Sequence, residues 1–390
     1  MVHGLTWGAP PPQQNKTSWP SWGLRVSDNN ITWSHHNPVR VVASSLEGLA
    51  AHIPVGTHVL LVTSAGFVRR GVTDRIAAAL PGRQITVLDD VRPNPDLRDL
   101  DAATMRLRPC GIGLVLALGG GSAIDAAKAL AATLPSPVAN PLAQAFRAGN
   151  MPAWARRLPL VVIPTTSGAG SEVTPFATVW DHELHRKHSL AGPLMFPDVA
   201  FLDASLTVTL PEQETLFPGL DTVSHALESL WNRNCTPVSR ALALQSLVLS
   251  IHALPGAMDQ PANIAFRRDM QSASLLSGMA ISQTRTAIAH SISYPVTTYF
   301  GVPHGLACSF TLPALLRRNL ETLPICASER QILVSVLQML LEFDMVKRMR
   351  NYLTLEDLRP LHAEMLTPGR ADNYQGIDFG LVATLLDESL

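Results

Sequence analysis

The stretch LVLALGGGSAIDAAKAL, residues 114–130, narrows the choice of folds more than any other. Its first residues are uniformly apolar, as in a strand buried on both faces. Three glycines at 119–121 end that run, and an Ala-rich helical stretch follows, with Ser122 as its expected opening residue and Asp125 three positions on, close to a capping box. A strand feeding a helix through a glycine-rich turn is a unit of a parallel sheet. The same texture recurs from Pro38 in VRVVAS, HVLLVTS, ITVLDDV, LPLVVIPTTS and VAFLDAS, each ended by turn residues and separated by helical stretches. After about Ser205 the strand-like runs stop, and amphipathic stretches such as SRALALQSLVLSIHAL and ERQILVSVLQMLLEFDMVKRM take over. The expected fold is therefore an irregular N-terminal extension over 1–36, an α/β domain with a mostly parallel sheet over 37–205 and an all-α domain over 206–390.

Composition excludes several classes. Hydrophobic residues at 46% and charged residues at 16% are unlike a disordered chain. Thirty Lys and Arg against 31 Asp and Glu leave a net charge of −1, so no whole-chain field favours nucleic acid or an anionic membrane. Cys110, Cys235, Cys308 and Cys326 lack C-x-x-C spacing, which argues against a disulfide framework or a thiolate zinc site. The N-terminus lacks the basic start and apolar run of a signal peptide. A soluble, cytoplasmic protein is expected, and the sequons at Asn15, Asn30 and Asn234 then carry no weight.

Glycines at 119–121 let backbone amides approach a pyrophosphate, and the helix N-terminus adds free N–H donors. Alone, GGGS is as readily an ordinary turn, since its spacing is not G-x-G-x-x-G. PTTSGAGSE at 164–172 adds a second loop able to wrap a nucleotide, with the hydroxyls of Thr165, Thr166, Ser167 and Ser171.

In GLDTVSHALESLWN, Asp221 and His225 are four apart, which on a helix stacks both on one face. His290 lies in TAIAHSISYP and His304 in the loop FGVPHG. Taken singly, His290 or His304 reads better as a core or solvated histidine; together with Asp221 and His225 they make one carboxylate and three imidazoles, a set suited to Fe²⁺ or Zn²⁺. The trio His182, His185 and His188 in DHELHRKHS reads as a solvated turn.

The order of motifs, NP at Asn94 and Pro95, GGGSAIDAAK, PTTSGAGSEVT, GLDTVSHALE, AIAHSISYP and FGVPHG, resembles the iron-containing (group III) alcohol dehydrogenases from about residue 37 to near the C-terminus. That resemblance implies a metal-dependent, NADPH- or NADH-linked aldehyde reductase, a homodimer or larger assembly, with cofactor and metal meeting between the two domains. It makes Asp221, His225, His290 and His304 the metal ligands, and places Asn94, Gly120, Gly121, Ser122, Asp125, Thr165, Thr166, Ser171 and Lys187 at the cofactor. Two departures stand out. Tyr294 replaces the second histidine of the family's H-x-x-x-H segment, thought to relay a proton; a phenol near a cation can do the same, while its presence leaves open a nucleotide- and metal-binding protein without turnover. Ser64 stands where NAD-using members have Asp, with Arg69 and Arg70 just beyond, so NADPH is expected to be accepted at least comparably to NADH.

Thr284, Arg285 and Thr286 come shortly before His290, and their two hydroxyls and guanidinium are expected to face the cleft and bind an anion. This segment resembles the branch of the family acting on a phosphonate-bearing aldehyde more than its alcohol-specific members. It implies reduction of phosphonoacetaldehyde to 2-hydroxyethylphosphonate, with a carboxylate semialdehyde or a general short-chain alcohol as alternatives. The competing reading pairs Arg285 with Glu228 or Asp269.

Overall fold

Six segments whose side chains are apolar at nearly every position form one parallel sheet in the computed structural model, which describes residues 33–149, 156–184, 186–366, 368–374, 377 and 379–390. They are β1 (Arg40–Ala43), β2 (His58–Val62), β3 (Gln84–Leu88), β4 (Leu114–Gly119), β5 (Leu160–Pro164) and β8 (Val199–Leu202), in the spatial order β1-β8-β5-β4-β2-β3. Every residue of β4 and β5 is buried because helices cover both faces. Alternate side chains divide between two cores: Leu60, Val62, Val115, Ala117 and Val162 on one side, and Val59, Leu61, Leu114, Leu116 and Ile163 on the other.

The order places β2 and β4 side by side, although β3 intervenes in sequence. The chain leaves β2 toward one edge and returns to build toward the other, so a crevice opens beyond the carboxyl ends of β2 and β4, where sheets of this kind bind ligands. Ser64 and the glycine turn lie at those two ends.

The hairpin of β6 (Phe176–Asp181) and β7 (Arg186–Ala191), antiparallel and separate from the main sheet, was not expected. It absorbs part of the histidine trio. His182 lies in its turn and is exposed, but His188 is a strand residue with its ring stacked on Phe146 at 4.5 Å, so it is not part of a solvated turn; His185 lies outside the described residues. The expected extension also lies mostly outside them, and its last residue, His36, is tied by its backbone to the Gln283 side chain.

Beyond β8 the described chain contains no further strand. The helices Glu212–Leu230, Pro237–Asp259, Ile264–Thr284 and Ile288–Phe300 pack around one large core that includes Leu216, Leu220, Leu227, Leu254 and Ile292. The long helix expected near the C-terminus is split into Ala327–Glu342 and Met345–Met349 by Asp344, whose φ of 46° is left-handed. The two halves meet at the second glycine loop. Thr222 Oγ1 of the 212–230 helix donates to Ser167 O (3.1 Å), and a Cβ on Gly168 would lie 2.6 Å from Pro218 Cβ.

Candidate metal and nucleotide site

The 212–230 helix carries Asp221 and His225 on one buried face, and its Phe217 backbone touches Gly305 so closely that any Cβ there would overlap the Phe217 carbonyl. That close approach brings His304 beside the helix. His290 arrives from the first turn of the 288–300 helix. The Asp221 Oδ1 atom lies 3.4 Å from His225 Nε2 and 3.2 Å from His290 Nε2; the rings of His225 and His290 stack at 4.7 Å, and those of His290 and His304 meet nearly edge-on at 5.3 Å. The four residues expected as ligands are thus together.

Two further residues belong to this cluster. Cys308, fully buried, donates its thiol to Asp221 Oδ1 at 3.3 Å, and ligand atoms of Asp221, His290, His304 and Cys308 all lie within 4.8 Å of one another. Glu228, also fully buried, accepts from the backbone N–H groups of Ala287, Ala289 and His290 and from His290 Nδ1 at 2.7 Å. With Nδ1 donating to Glu228, Nε2 points its other valence at Asp221 and has no hydrogen-bond partner, as does His225 Nδ1. Burial opposes charge on His290, yet Glu228 and Asp221 push its imidazole up to about 10; burial alone would raise Asp221, but the surrounding imidazoles hold it far below the usual range. At 3.2 Å, Asp221 Oδ1 and His290 Nε2 are placed to share a proton or to face a common cation. An O,N,N,N donor set with a buried orphan nitrogen and a carboxylate behind one histidine fits a divalent iron or zinc ion.

The nucleotide-side residues line the crevice at the switch point. The helix Gly121–Thr133 starts two residues earlier than a Ser122 cap would place it: Gly120 is its N-cap, and Ser122, in the first turn, accepts from Asn94 N (3.3 Å). Asp125 likewise does not complete a capping box; Oδ2 accepts from Thr178 N (2.8 Å) and ties the hairpin to this helix. Any Cβ on Gly120 would lie 2.9 Å from Thr166 Oγ1, and one on Gly121 3.1 Å from Ala169 Cβ, so the two loops face each other at close range. Thr165 is buried and its N–H donates to Gly119 O, while Ser171 lies beside Gly121. Asn94 holds a left-handed φ of 58°. Ser64, two residues beyond β2, is the N-cap of the helix Ala65–Arg69 and lies beside Gly66 and Arg70, and the Arg70 guanidinium stacks on Phe67 at 4.5 Å.

Lys187, on β7, projects its Nζ 3.9 Å from the Tyr294 ring centroid, and Tyr294 stacks on His304 at 6.2 Å. Burial would raise the Tyr294 phenol, but Lys187 and Arg370 hold it below its ordinary value.

The anion-binding trio separates. Thr284 does not face the cleft: it is fully buried, sharing a hydrogen bond with Ser229 and donating to the Ala280 and Arg285 carbonyls. Thr286 is half-buried and its carbonyl accepts from Asn373 Nδ2. Arg285 is exposed, lies 6.0 Å from the Phe176 ring, and makes no ion pair with any described residue; Glu228 is committed to His290. Its backbone sits at φ 63°, ψ 178°, a region reserved almost wholly for glycine.

A family model described as iron-containing alcohol dehydrogenase matches residues 38–204, and one for the C-terminal region of the Fe-containing alcohol dehydrogenase family matches 215–375. The chain belongs to the iron-containing alcohol dehydrogenase family of oxidoreductases. It is 37% identical to the phosphonoacetaldehyde reductase of Streptomyces viridochromogenes over 290 residues, 73% of this chain and 71% of that one. It is 33% identical to the probable alcohol dehydrogenase EutG of Escherichia coli over 264 residues, 67% of this chain and 66%, just under two thirds, of that one. The structure of a sulfoacetaldehyde reductase from Bifidobacterium kashiwanohense in complex with NAD⁺ superposes with a TM-score of 0.81 at 27% identity, covering 92% of this chain and 99% of that one.

Proposed function

We propose that this chain is a metal-dependent, NADPH- or NADH-linked reductase of a small anionic aldehyde, with phosphonoacetaldehyde, reduced to 2-hydroxyethylphosphonate, as its substrate. The strained Arg285 carries this reading. A non-glycine residue in that backbone region costs about 1–3 kcal/mol and persists only where its surroundings impose it. Here Asn232 Nδ2 and Thr284 Oγ1 both hold the Arg285 carbonyl, and Arg285 N donates to Ile281 O. The outlay goes into presenting an unpaired guanidinium five residues before His290, and a guanidinium offers a planar fork to phosphonate or carboxylate oxygens. Similarity to reductases named for phosphonoacetaldehyde and sulfoacetaldehyde supports the same class of substrate.

Asp221, His225, His290 and His304 would hold the ion, which when bound supplies Lewis acidity at the carbonyl oxygen while the reduced nicotinamide supplies hydride. Glu228 fixes the His290 tautomer and ring. The glycine turn, the helix N-terminus at Gly121 and the hydroxyls of Ser122, Thr165, Thr166 and Ser171 receive the pyrophosphate, with Asn94 beside it, whereas Lys187 stands at Tyr294 on the substrate side of the cofactor. Tyr294, its phenol made more acidic by Lys187, hands a proton to the developing alkoxide. Ser64 in place of a carboxylate, next to Arg70, favours NADPH at least as much as NADH.

The test is a panel of aldehydes assayed with each reduced cofactor after anaerobic metal loading, for the wild-type protein and Arg285→Ala. The substitution is expected to raise KM for phosphonoacetaldehyde by roughly tenfold or more while leaving that for propanal within about twofold. Equal effects on both aldehydes would remove Arg285 from the substrate site, and strict dependence on NADH would refute the assignment to Ser64 and Arg70.

A further inference from the structure

We propose that Arg370, acting with Arg285 and Lys187, is a specificity-determining residue that selects a doubly charged head group; this rests on the reading of the chain as an anionic-aldehyde reductase. Arg370 follows Gly369, whose φ of 81° turns the chain, and precedes the short helical turn Ala371–Asn373. Asn373 closes that turn through Nδ2 to Gly369 O (3.2 Å), and the same nitrogen donates to Thr286 O (2.9 Å). Arg233 N in turn donates to Asn373 O (2.8 Å). The loop bearing Arg370 is thereby fastened to the segment bearing Arg285.

The Arg370 guanidinium carbon lies 4.1 Å from the Tyr294 ring centroid, and Lys187 Nζ lies 3.9 Å from the same centroid. Tyr294 stacks on His304, so both cations stand beside the metal cluster. None of Arg285, Arg370 and Lys187 has a carboxylate within ion-pair distance among the described residues. Lys187 and Arg370, both half-buried at the same ring and without counter-ions, repel one another, and the arrangement is relieved by an anion that binds there, with the exposed Arg285 on the segment fastened to the Arg370 loop. A sulfonate or carboxylate brings one negative charge, whereas a phosphonate that has lost its second proton brings two and offers three oxygens to a guanidinium fork and an ammonium. The Tyr294 ring face offers the cations no acceptor beyond its own hydroxyl, and the remaining donors of Arg370 and Lys187 are available to an anionic head group.

The experiment compares phosphonoacetaldehyde, sulfoacetaldehyde and propanal at about pH 8, where the phosphonate is doubly charged, in the metal-loaded wild-type protein, Arg370→Met and Arg370→Lys. The dissociation constant of 2-hydroxyethylphosphonate is measured by calorimetry on the same samples. Arg370→Met is expected to raise KM for phosphonoacetaldehyde and weaken 2-hydroxyethylphosphonate by roughly tenfold to a hundredfold, sulfoacetaldehyde by less, and KM for propanal by no more than about twofold, whereas any fall in kcat through Tyr294 is shared by all three aldehydes. Arg370→Lys keeps the charge but loses the fork, and is expected to recover part of the loss. It also decides the matter should the methionine variant fail to fold, since a lysine variant with the wild-type ratio of phosphonate to sulfonate efficiency would overturn the proposal. An unchanged ratio in Arg370→Met overturns it as well. A wild-type protein that favours propanal over both anions sinks the parent reading and this one together, whereas a wild-type preference for anions that survives loss of Arg370 sinks this one alone.

Discussion

Glu228 is the residue on which the metal cluster's order most depends, because its two oxygens serve both the N-terminus of the 288–300 helix and the Nδ1 atom of His290. Glu228→Gln keeps the shape but loses the charge, and it turns an acceptor facing Nδ1 into a side chain that can also present an N–H there. The expected result is a metal affinity lower by roughly tenfold to a hundredfold, read by competition with a coloured chelator. An unchanged affinity would leave Glu228 as a helix cap alone. Positions 221, 225 and 228 follow one helical stripe in the sequence, yet a carboxylate at 228 reads there as readily as a partner for Arg285. Cys308 is hidden for a different reason: FGVPHG has the texture of a loop, in which nothing places position 308 over position 304, whereas residues 304–307 form a short helix. Thr284 shows the opposite error. A hydroxyl next to an arginine near a ligand suggests a cleft, but its side chain turns inward and satisfies backbone carbonyls.

At the scale of elements, the parallel strands were legible because burial on both faces leaves nearly continuous apolar runs, and helices were legible from their period. The hairpin was not, because β7 reads Arg-Lys-His-Ser-Leu-Ala, a half-exposed strand whose polar residues mimic a solvated turn. Nor was the break at Asp344, since no Gly or Pro marks it and Asp takes the left-handed conformation without announcing it. The contact between elements with the sharpest consequence is also absent from any local pattern: in the 264–284 helix Gly278 abuts Gly170 of the second glycine loop, and a Cβ on Gly278 would lie 2.8 Å from Gly170 Cα and 3.0 Å from its carbonyl oxygen. Ala in a helix interior ordinarily stabilises by about 1 kcal/mol relative to Gly. Here the new methyl group meets backbone that cannot rotate away, and overpacking of this kind costs about 1–3 kcal/mol. Gly278→Ala is therefore expected to lower the denaturation midpoint and to raise KM for the dinucleotide, as the loop holding Ser171 is pushed off the helix. A midpoint that rises would show that the loop gives way freely.

Across the whole molecule, the sheet half and the helical half depend on different sources of order. The sheet is held by ladder hydrogen bonds and by cores on both faces, none of which involves the metal cluster. The cluster instead joins three separate segments of the helical half: the 212–230 helix through Asp221 and His225, the 288–300 helix through His290, and the short helix that begins at His304. Without an ion, Asp221 must rely on protons carried by buried imidazoles, and burial holds His304 down to about 3, so that ring contributes none at neutral pH. An ion that binds only the folded state adds about 2.7 kcal/mol when its free concentration is a hundredfold above its dissociation constant. Removing it should accordingly lower the melting temperature, but unevenly. Hydrogen exchange after chelation is expected to quicken over residues 288–308 and the middle of the 212–230 helix, while β4 and β5 keep their protection; readdition of Fe²⁺ or Zn²⁺ restores the difference. Equal quickening in strands and helices would mean that the ion supports one indivisible cooperative unit, and no change anywhere would mean that these four residues do not hold a metal at all.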